Sequence, residues 1–526
     1  MTALLSSYAS ARQTLLILAP ELLLLATATV MMTLGAFVRL PRRTWSIASA
    51  VALGVALVVL LLVRGEAYDP YAGVAVNDAL SFYARLVFLL TGLILLAMAH
   101  DQVDEARAPE FFGALLMVNA GAMLVSTANE LVFLFVGLEL VSIPTYLLLY
   151  LSRRSANTQE AATKYFFLSI FSSGLLLFGL AYLYGTTGIS NLKALAYLAG
   201  REPGLVAVPN LQLGLIAVVF IMAGLGFRVA AVPFHFYAPD VYQGSPAVLA
   251  ALLAWVPKGL GFVAILRTLG VLVASVGADS VLSQRAALLA AILAAVTMTL
   301  GNTVALGQNN LKRLLAYSSI AHAGYLLIGV AVAFRNGSEG GVTLGAEGVL
   351  YYLVAYSVMT LGAFAVIIAL NSGDRPVETV EDMAGLAATH RPLALEMAVC
   401  LFSLAGIPPL AGFVGKFELF ASAWGASRGD DAALYQGLAL IGAINSAIGA
   451  YYYLRIVVVM FLKPATGRPH SLRMDWPTGA AITACTLLTI LIGVWATPFQ
   501  RASSEAAVAA TEIPEPLPTP AVADRS

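Results

Sequence analysis

Long apolar runs alternate with short polar punctuation along nearly the whole chain. A membrane-spanning helix needs about 20 mostly apolar residues. Runs of that kind start near Gln13, Trp45, Leu80, Pro109, Glu130, Thr163, Leu211, Pro246, Val281, Arg313, Glu347, Pro392, Leu434 and Thr478. They predict an all-α membrane protein with fourteen transmembrane helices, and an even number puts both termini on one face. The first run, roughly 13–37, is too long for the core of a cleavable signal and is followed by Arg39, Arg42 and Arg43, so it reads as a span. From Arg501 the pattern gives way to Ala, Pro and Glu, which predicts a disordered polar tail over 501–526.

Two runs are interrupted. The seventh passes into Gly226-Phe227-Arg228-Val229-Ala230-Ala231-Val232-Pro233-Phe234-His235, and the twelfth contains Gly406-Ile407-Pro408-Pro409, Gly412 and Gly415-Lys416. Proline removes a backbone donor and clashes with the preceding turn. Within a bilayer the freed carbonyls are tolerated only against protein or water. Broken helices at matching places in two halves point to a transport site. Spans seven and twelve are five apart, so the expected units are five-helix repeats, inverted because five is odd. The predicted division is a three-helix segment over 1–108, a first repeat over 109–275, an inverted second repeat over 276–465, helix 14 over 466–500 and the tail.

Composition agrees. The 526 residues are 60% hydrophobic and 11% charged, with mean hydropathy +0.86, whereas soluble domains carry about 25% charged residues. Lys and Arg total 29 against 29 Asp and Glu, so nothing suggests nucleic-acid binding. Cys400 and Cys485 are isolated in apolar runs and form no metal-ligand pattern; they read as small buried hydrophobes, with no iron–sulfur cluster or other metal centre in this chain. No nucleotide-binding glycine motif is present.

Loops after odd-numbered spans hold thirteen Lys/Arg and the opposite face, termini included, holds ten. The first loop packs Arg39, Arg42 and Arg43 into five residues. By the positive-inside rule that loop faces the cytoplasm and both termini face away from it.

Charges within the apolar runs are the chemical signal. Glu139, Lys164, Arg228, Lys258 and Lys416 lie in or just inside spans, where a charge costs at least ~2.5–3.5 kcal/mol. Such groups pair with one another or line a polar path. For Glu139 the structural alternative is an ion pair that locks helices together. Lys164 follows a polar helix start and can snorkel to the interface; Lys258, mid-span in Val256-Pro257-Lys258-Gly259, is too deep for that. The unperturbed pKa of histidine, about 6.5, suits His235 and mid-span His322 to relay protons, although lone membrane histidines also serve as interhelical hydrogen-bonding groups. Arg455, Arg85 and Glu21 are weaker candidates.

These residues sit in recognisable motifs. Val232-Pro233-Phe234-His235-Phe236-Tyr237-Ala238-Pro239-Asp240-Val241-Tyr242-Gln243-Gly244-Ser245-Pro246, Asn310-Leu311-Lys312-Arg313-Leu314-Leu315-Ala316-Tyr317-Ser318-Ser319-Ile320-Ala321-His322, and Leu404-Ala405-Gly406-Ile407-Pro408-Pro409-Leu410-Ala411-Gly412-Phe413-Val414-Gly415-Lys416 resemble signatures of the antiporter-like membrane subunits of respiratory complex I. The resemblance covers about residues 12–500. Pro239-Asp240-Val241-Tyr242, Ala19-Pro20-Glu21-Leu22 and Lys416 are typical of one branch of that family. The resemblance implies a proton-translocating subunit in a bacterial cytoplasmic (inner) membrane, with M-type, K-type and A/J-type membrane-arm neighbours. It implies no cofactor in this chain, and quinone, NADH, FMN and iron–sulfur clusters in partner subunits. It assigns proton-path roles to Glu139, Lys164, Lys258, His322 and Lys416. Arg228 departs from the family's usual Lys. An arginine cannot in practice be deprotonated, so Arg228 can balance Glu139 but not hand on a proton. The same features fit a subunit of a multi-subunit sodium/proton antiporter, and a structural spacer would need the charges only for helix packing.

Overall fold

The structure, a computed structural model, describes residues 11–71, 73–152, 156–201, 211–276, 280–336, 344–371, 377–426, 431–465 and 474–512. Of the loop cations behind the orientation argument, Arg153, Arg154, Arg375, Arg428, Arg468, Arg473 and Arg525 lie outside the described residues. Among the described residues there is no strand, only three isolated antiparallel bridges.

Thirteen helices among the described residues are long and apolar enough to cross a bilayer: Ala19–Phe37, Arg42–Leu62, Ala79–Ala99, Glu105–Thr127, Leu131–Ser152, Ala156–Thr187, Leu211–Val229, Ala247–Val273, Val281–Leu306, Leu311–Arg335, Leu344–Asn371, Ala432–Leu462 and Trp476–Val494. The remaining sequence run, the twelfth, is split into Arg391–Ala405 and Ala411–Gly425, 15 residues each. Neither half is long enough alone, since 15 residues rise only about 22 Å. The sixth span begins at Ala156 rather than Thr163, because the polar stretch Asn157–Glu160 is helical.

The expected disordered tail needs correction. Thr497–Thr511 is a helix packed on the third and eleventh spans. Ser503, Ala506, Ala507 and Ala510 recur at helical spacing and are buried. Alanine favours helix and lets it lie close to its neighbours; reading Ala together with the later prolines hid this. Residues 513–526 lie outside the described residues. The last carbonyls of the tail helix, at Ala509 and Glu512, accept from Nζ of Lys193 at 3.0 and 2.6 Å. Burial pushes Lys193 down to about 8. Lys193 belongs to the connection between the sixth and seventh spans, so the tail lies on the face that an even span count requires.

The fourth, eighth, tenth and eleventh spans form the interior, and the first, second, sixth and thirteenth face mostly outward. Lipid is as apolar as a protein core, so close packing rather than hydrophobicity selects the inner helices. The ninth and tenth spans show it. A Cβ on Gly301 would lie 2.6 Å from the backbone nitrogen of Ala321, and one on Gly324 would lie 2.4 Å from that of Met298.

Internal repetition is visible in the backbone. Leu131 N–H donates to Ser190 O and Leu192 N–H to Asn129 O; likewise Leu311 N–H donates to Glu378 O and Val380 N–H to Asn309 O. Glu130 and Asn310 cap the helices that follow, accepting from Phe133 N–H and Arg313 N–H. The two loops are 180 residues apart (Asn129 and Asn309) and separated by five spans, so the same arrangement sits on opposite faces. The breaks match too. Ala231 N–H reaches Gly226 O and Ala230 N–H reaches Phe227 O; Ile407 N–H reaches Phe402 O and Gly406 N–H reaches Ser403 O. Both are Schellman ends with a left-handed residue at the turn, Ala230 at φ 59° and Gly406 at φ 91°.

Two outcomes follow. If both termini face away from the cytoplasm, an impermeant thiol reagent added from outside labels Arg501→Cys and not Thr44→Cys; the opposite pattern reverses the orientation. A left-handed alanine costs roughly 1–2 kcal/mol, so Ala230→Gly raises the thermal unfolding midpoint of the purified protein and Ala230→Val lowers it.

Candidate functional site

The buried charges sort by type. Each arginine enclosed in the bundle meets a carboxylate. Arg85 binds Glu21 between the first and third spans, with Nε–Oε1 and Nη2–Oε2 both 2.7 Å. Arg267 binds both oxygens of Asp78 at 2.5 Å. Arg228 of the seventh span reaches Glu139 of the fifth at 3.0 Å and also donates to Ser142 and, at 3.2 Å, to Ser173. Ser173 in turn donates to Glu139 at 2.5 Å. Arg228 is 2% exposed and Glu139 23%, so the carboxylate keeps one flank at the surface.

The two deep span lysines meet neutral oxygens instead. Lys258 donates to the backbone oxygen of Ser319 and, at 2.7 Å, to its hydroxyl, with Nζ 5.0 Å from the Tyr356 ring centroid. Among the described residues Lys258 forms no ion pair with a carboxylate. Lys416 donates to Leu404 O at 2.9 Å, Ala405 O at 3.1 Å and Ser446 Oγ at 3.1 Å. It thereby covers carbonyls freed where the first half of the twelfth span ends. An arginine always carries its charge and requires a counter-ion, whereas a lysine can release its proton and rest against neutral acceptors.

Between the two lysines stands His322, enclosed by tyrosines. Its Nδ1 lies 2.5 Å from Tyr352 Oη and its Nε2 3.0 Å from Tyr453 Oη. Tyr453 also bonds Ser318. Tyr356 donates to Ser319 Oγ at 2.9 Å, which ties the cluster to Lys258. The Tyr325 ring is 5.6 Å from the imidazole, and Lys416 Nζ lies 5.0 Å from the Tyr325 centroid. Lys258, Ser319, Tyr356, His322, Tyr325 and Lys416 therefore form one contiguous buried series. Hydroxyls and imidazole both donate and accept; the links from Tyr356 to His322, His322 to Tyr325 and Tyr325 to Lys416 are ring contacts, at 5.2, 5.6 and 5.0 Å.

Other candidates fall elsewhere. Lys164 is 40% exposed and joins Asp240 and Glu160 at 2.7 Å each, and Asp240 also binds Arg313 at 2.7 Å. Asp240 is thus engaged by these cations and not by Arg228. His235 sits in the seventh-span break, half-buried, with its ring 6.5 Å from Phe236. Arg455 donates to Gln308 O and Asn309 Oδ1 in the loop before the tenth span. The tyrosine cage was missed in the sequence; Tyr352 and Tyr356, one helical turn apart on an apolar span beside mid-span His322, were the available signal.

The 180-residue offset places Ser319 where the first repeat has Glu139, and His322 where it has Ser142. At the breaks, Ala230 and Gly406 are 176 apart, which places Lys416 opposite Asp240. Arg228 precedes its break and Lys416 follows its own, so the two cations are not equivalent.

Comparison with known proteins agrees with this architecture. The profile of the family described as NADH:quinone oxidoreductase/Mrp antiporter, TM matches residues 128–442. NADH-quinone oxidoreductase subunit N of Trichlorobacter lovleyi is 39% identical over 82% of this chain and 84% of its own. F(420)H(2) dehydrogenase subunit N of Methanosarcina mazei is 34% identical over 94% of this chain and 99% of its own. A chain of respiratory complex I from Thermus thermophilus superposes with TM-score 0.74 at 31% identity, over 92% of this chain and 99% of that one.

Proposed function

This chain belongs to the NADH:quinone oxidoreductase/Mrp antiporter transmembrane family, and on that premise we propose how it moves protons as a membrane-arm subunit of a quinone-reducing respiratory complex. The carrying observation is the run of buried contacts from Lys258 through His322 to Lys416, hydrogen bonds as far as Tyr356 and ring contacts beyond it, in which both lysines are held by neutral oxygens. Lys258 takes and gives up a proton, His322 and its tyrosines pass it, and Lys416 delivers it toward the face that holds the termini. Lys164, Asp240 and Arg313 mark the opposite face, where protons enter, and His235 serves the entry side within the break.

Glu139 and Arg228 act as a switchable pair. A Cβ on Gly261 of the eighth span would lie 3.3 Å from the Arg228 Cβ, and Lys258 is one helical turn away. A proton arriving on Lys258 adds positive charge beside the pair and draws Glu139 from Arg228, and Arg228 need not titrate. Coulomb energy at short range in a poorly screened interior is enough for this.

Quinone reduction belongs to partner subunits, with NADH, FMN and iron–sulfur clusters there; the neighbours are M-type, K-type and A/J-type membrane subunits in a bacterial cytoplasmic membrane. The Methanosarcina relative is named for a different electron donor, in keeping with a chain that handles protons and leaves the donor to others. A sodium/proton antiporter role draws on the same fold, but the two curated relatives above are subunits of redox enzymes over most of the chain.

Lys258→Ala in the assembled complex lowers proton pumping and coupled quinone reduction together, measured in proteoliposomes; undiminished pumping removes Lys258 from the path. Arg228→Lys retains most of the activity because the charge beside Glu139 remains, and Arg228→Ala loses most of it. Normal pumping per assembled complex with Ala at 228 would refute the counter-charge role.

A further inference from the structure

Asn302 lies outside every group assigned above, yet it touches both arms of the His322 cage. It lies near the C-terminal end of the ninth span and is 1% exposed. Its Nδ2 shares two hydrogens among Met298 O at 2.9 Å, Tyr325 Oη at 2.9 Å and, more distantly, Asn445 Oδ1 at 3.3 Å, while its Oδ1 accepts from Tyr452 Oη at 3.0 Å. The bond to a backbone carbonyl fixes which end of the amide is nitrogen. Tyr325 is therefore held as an acceptor at Asn302 and Tyr452 as a donor.

Each anchored tyrosine controls one contact of the step from His322 to Lys416. The Tyr325 ring stands between them, edge-on to the imidazole on one side and under the Lys416 ammonium on the other. A cation over an aromatic face is attracted to it only while the ring keeps its orientation. Tyr452 packs 4.4 Å from Tyr453, the residue that holds His322 Nε2. Room for the Tyr452 bond is made by Gly449, where a Cβ would lie 3.0 Å from Asn302 Oδ1 and 3.4 Å from Tyr452 Oη.

We propose that Asn302 is a positioning residue of the proton path, setting the orientation of Tyr325 and Tyr452 and through them the alignment of His322 with Lys416. This rests on the reading that protons pass between those two groups. An amide suits the task because it has donor and acceptor ends and does not titrate, so it orients the hydroxyls without capturing the proton.

The test uses the whole complex in proteoliposomes, with turnover and pumping normalised to assembled complex. Asn302→Ala slows both by about tenfold, the scale of one lost buried hydrogen bond with its partners stranded. Tyr325→Phe, which keeps the ring and removes only the anchored hydroxyl, slows them similarly. The double variant is no slower than either single one, because both remove the same restraint. Gly449→Ala deletes no polar atom and also slows turnover. Additive losses in the double variant, or unchanged turnover in Asn302→Ala and Gly449→Ala, would overturn the proposal. Lys416→Ala serves as the control. If it slows pumping while Asn302→Ala does not, only the positioning role fails; if it too leaves pumping intact, the proposed path itself fails.

Discussion

Hydrocarbon offers no hydrogen bonds, so a polar group inside this bundle is costly unless protein or water meets it. The two broken spans depend on that constraint. Each first half closes with a Schellman turn that binds its own carbonyls, and in the twelfth span Lys416 covers two more. A break built in this way costs few unsatisfied groups and leaves a cation in the middle of the membrane. The same constraint divides the charged residues into two classes. Arg85, Arg228 and Arg267 are tied to carboxylates and are fixed charges. Lys258 and Lys416 rest on carbonyls and hydroxyls that tolerate either protonation state.

Structural repetition and chemical divergence run side by side. Both repeats place a capped loop, a bridging segment and a left-handed turn at matching points on opposite faces. Their side chains then part company. The first repeat has Glu139 and Ser142 around Arg228; the second has Ser319 and His322 in the equivalent places, joined to Lys258 from the last helix of the first repeat. The ion pair of one half thus lies beside the neutral, hydroxyl-rich series of the other. A shared backbone frame brings them to within a helical turn across Gly261.

Tyrosine dominates the second half because it reconciles two demands. Its ring fills space among apolar helices, and its hydroxyl supplies the donor and acceptor that histidine and lysine need. Tyr325, Tyr352, Tyr356, Tyr452 and Tyr453 are each at most 1% exposed, so the cage is closed to the surroundings on all of its sides. Asn302 joins the cage from outside the His322 shell, and such hubs hold a network in one arrangement because every member has its partners.

The sequence by itself determined the number of crossings, the two breaks, the inverted repeat and the identity of the buried charges. Each of these follows from a local rule: about 20 apolar residues per span, proline removing a donor, and an odd repeat reversing direction. It also carried the Glu139–Arg228 pairing as an expectation, since one carboxylate and one permanent cation had to be reconciled. Tertiary structure alone decided which spans are interior, because lipid and protein core are equally apolar and small-residue contacts such as Gly301 with Ala321 make the choice. It decided that Asp240 belongs to Lys164 and Arg313, that Lys258 has neutral partners, and that four tyrosines from three spans surround His322. It also turned a presumed polar tail into a docked helix, whose buried stripe is alanine and serine rather than large apolar residues. Those outcomes depend on contacts between residues tens to hundreds of positions apart, which no local pattern records.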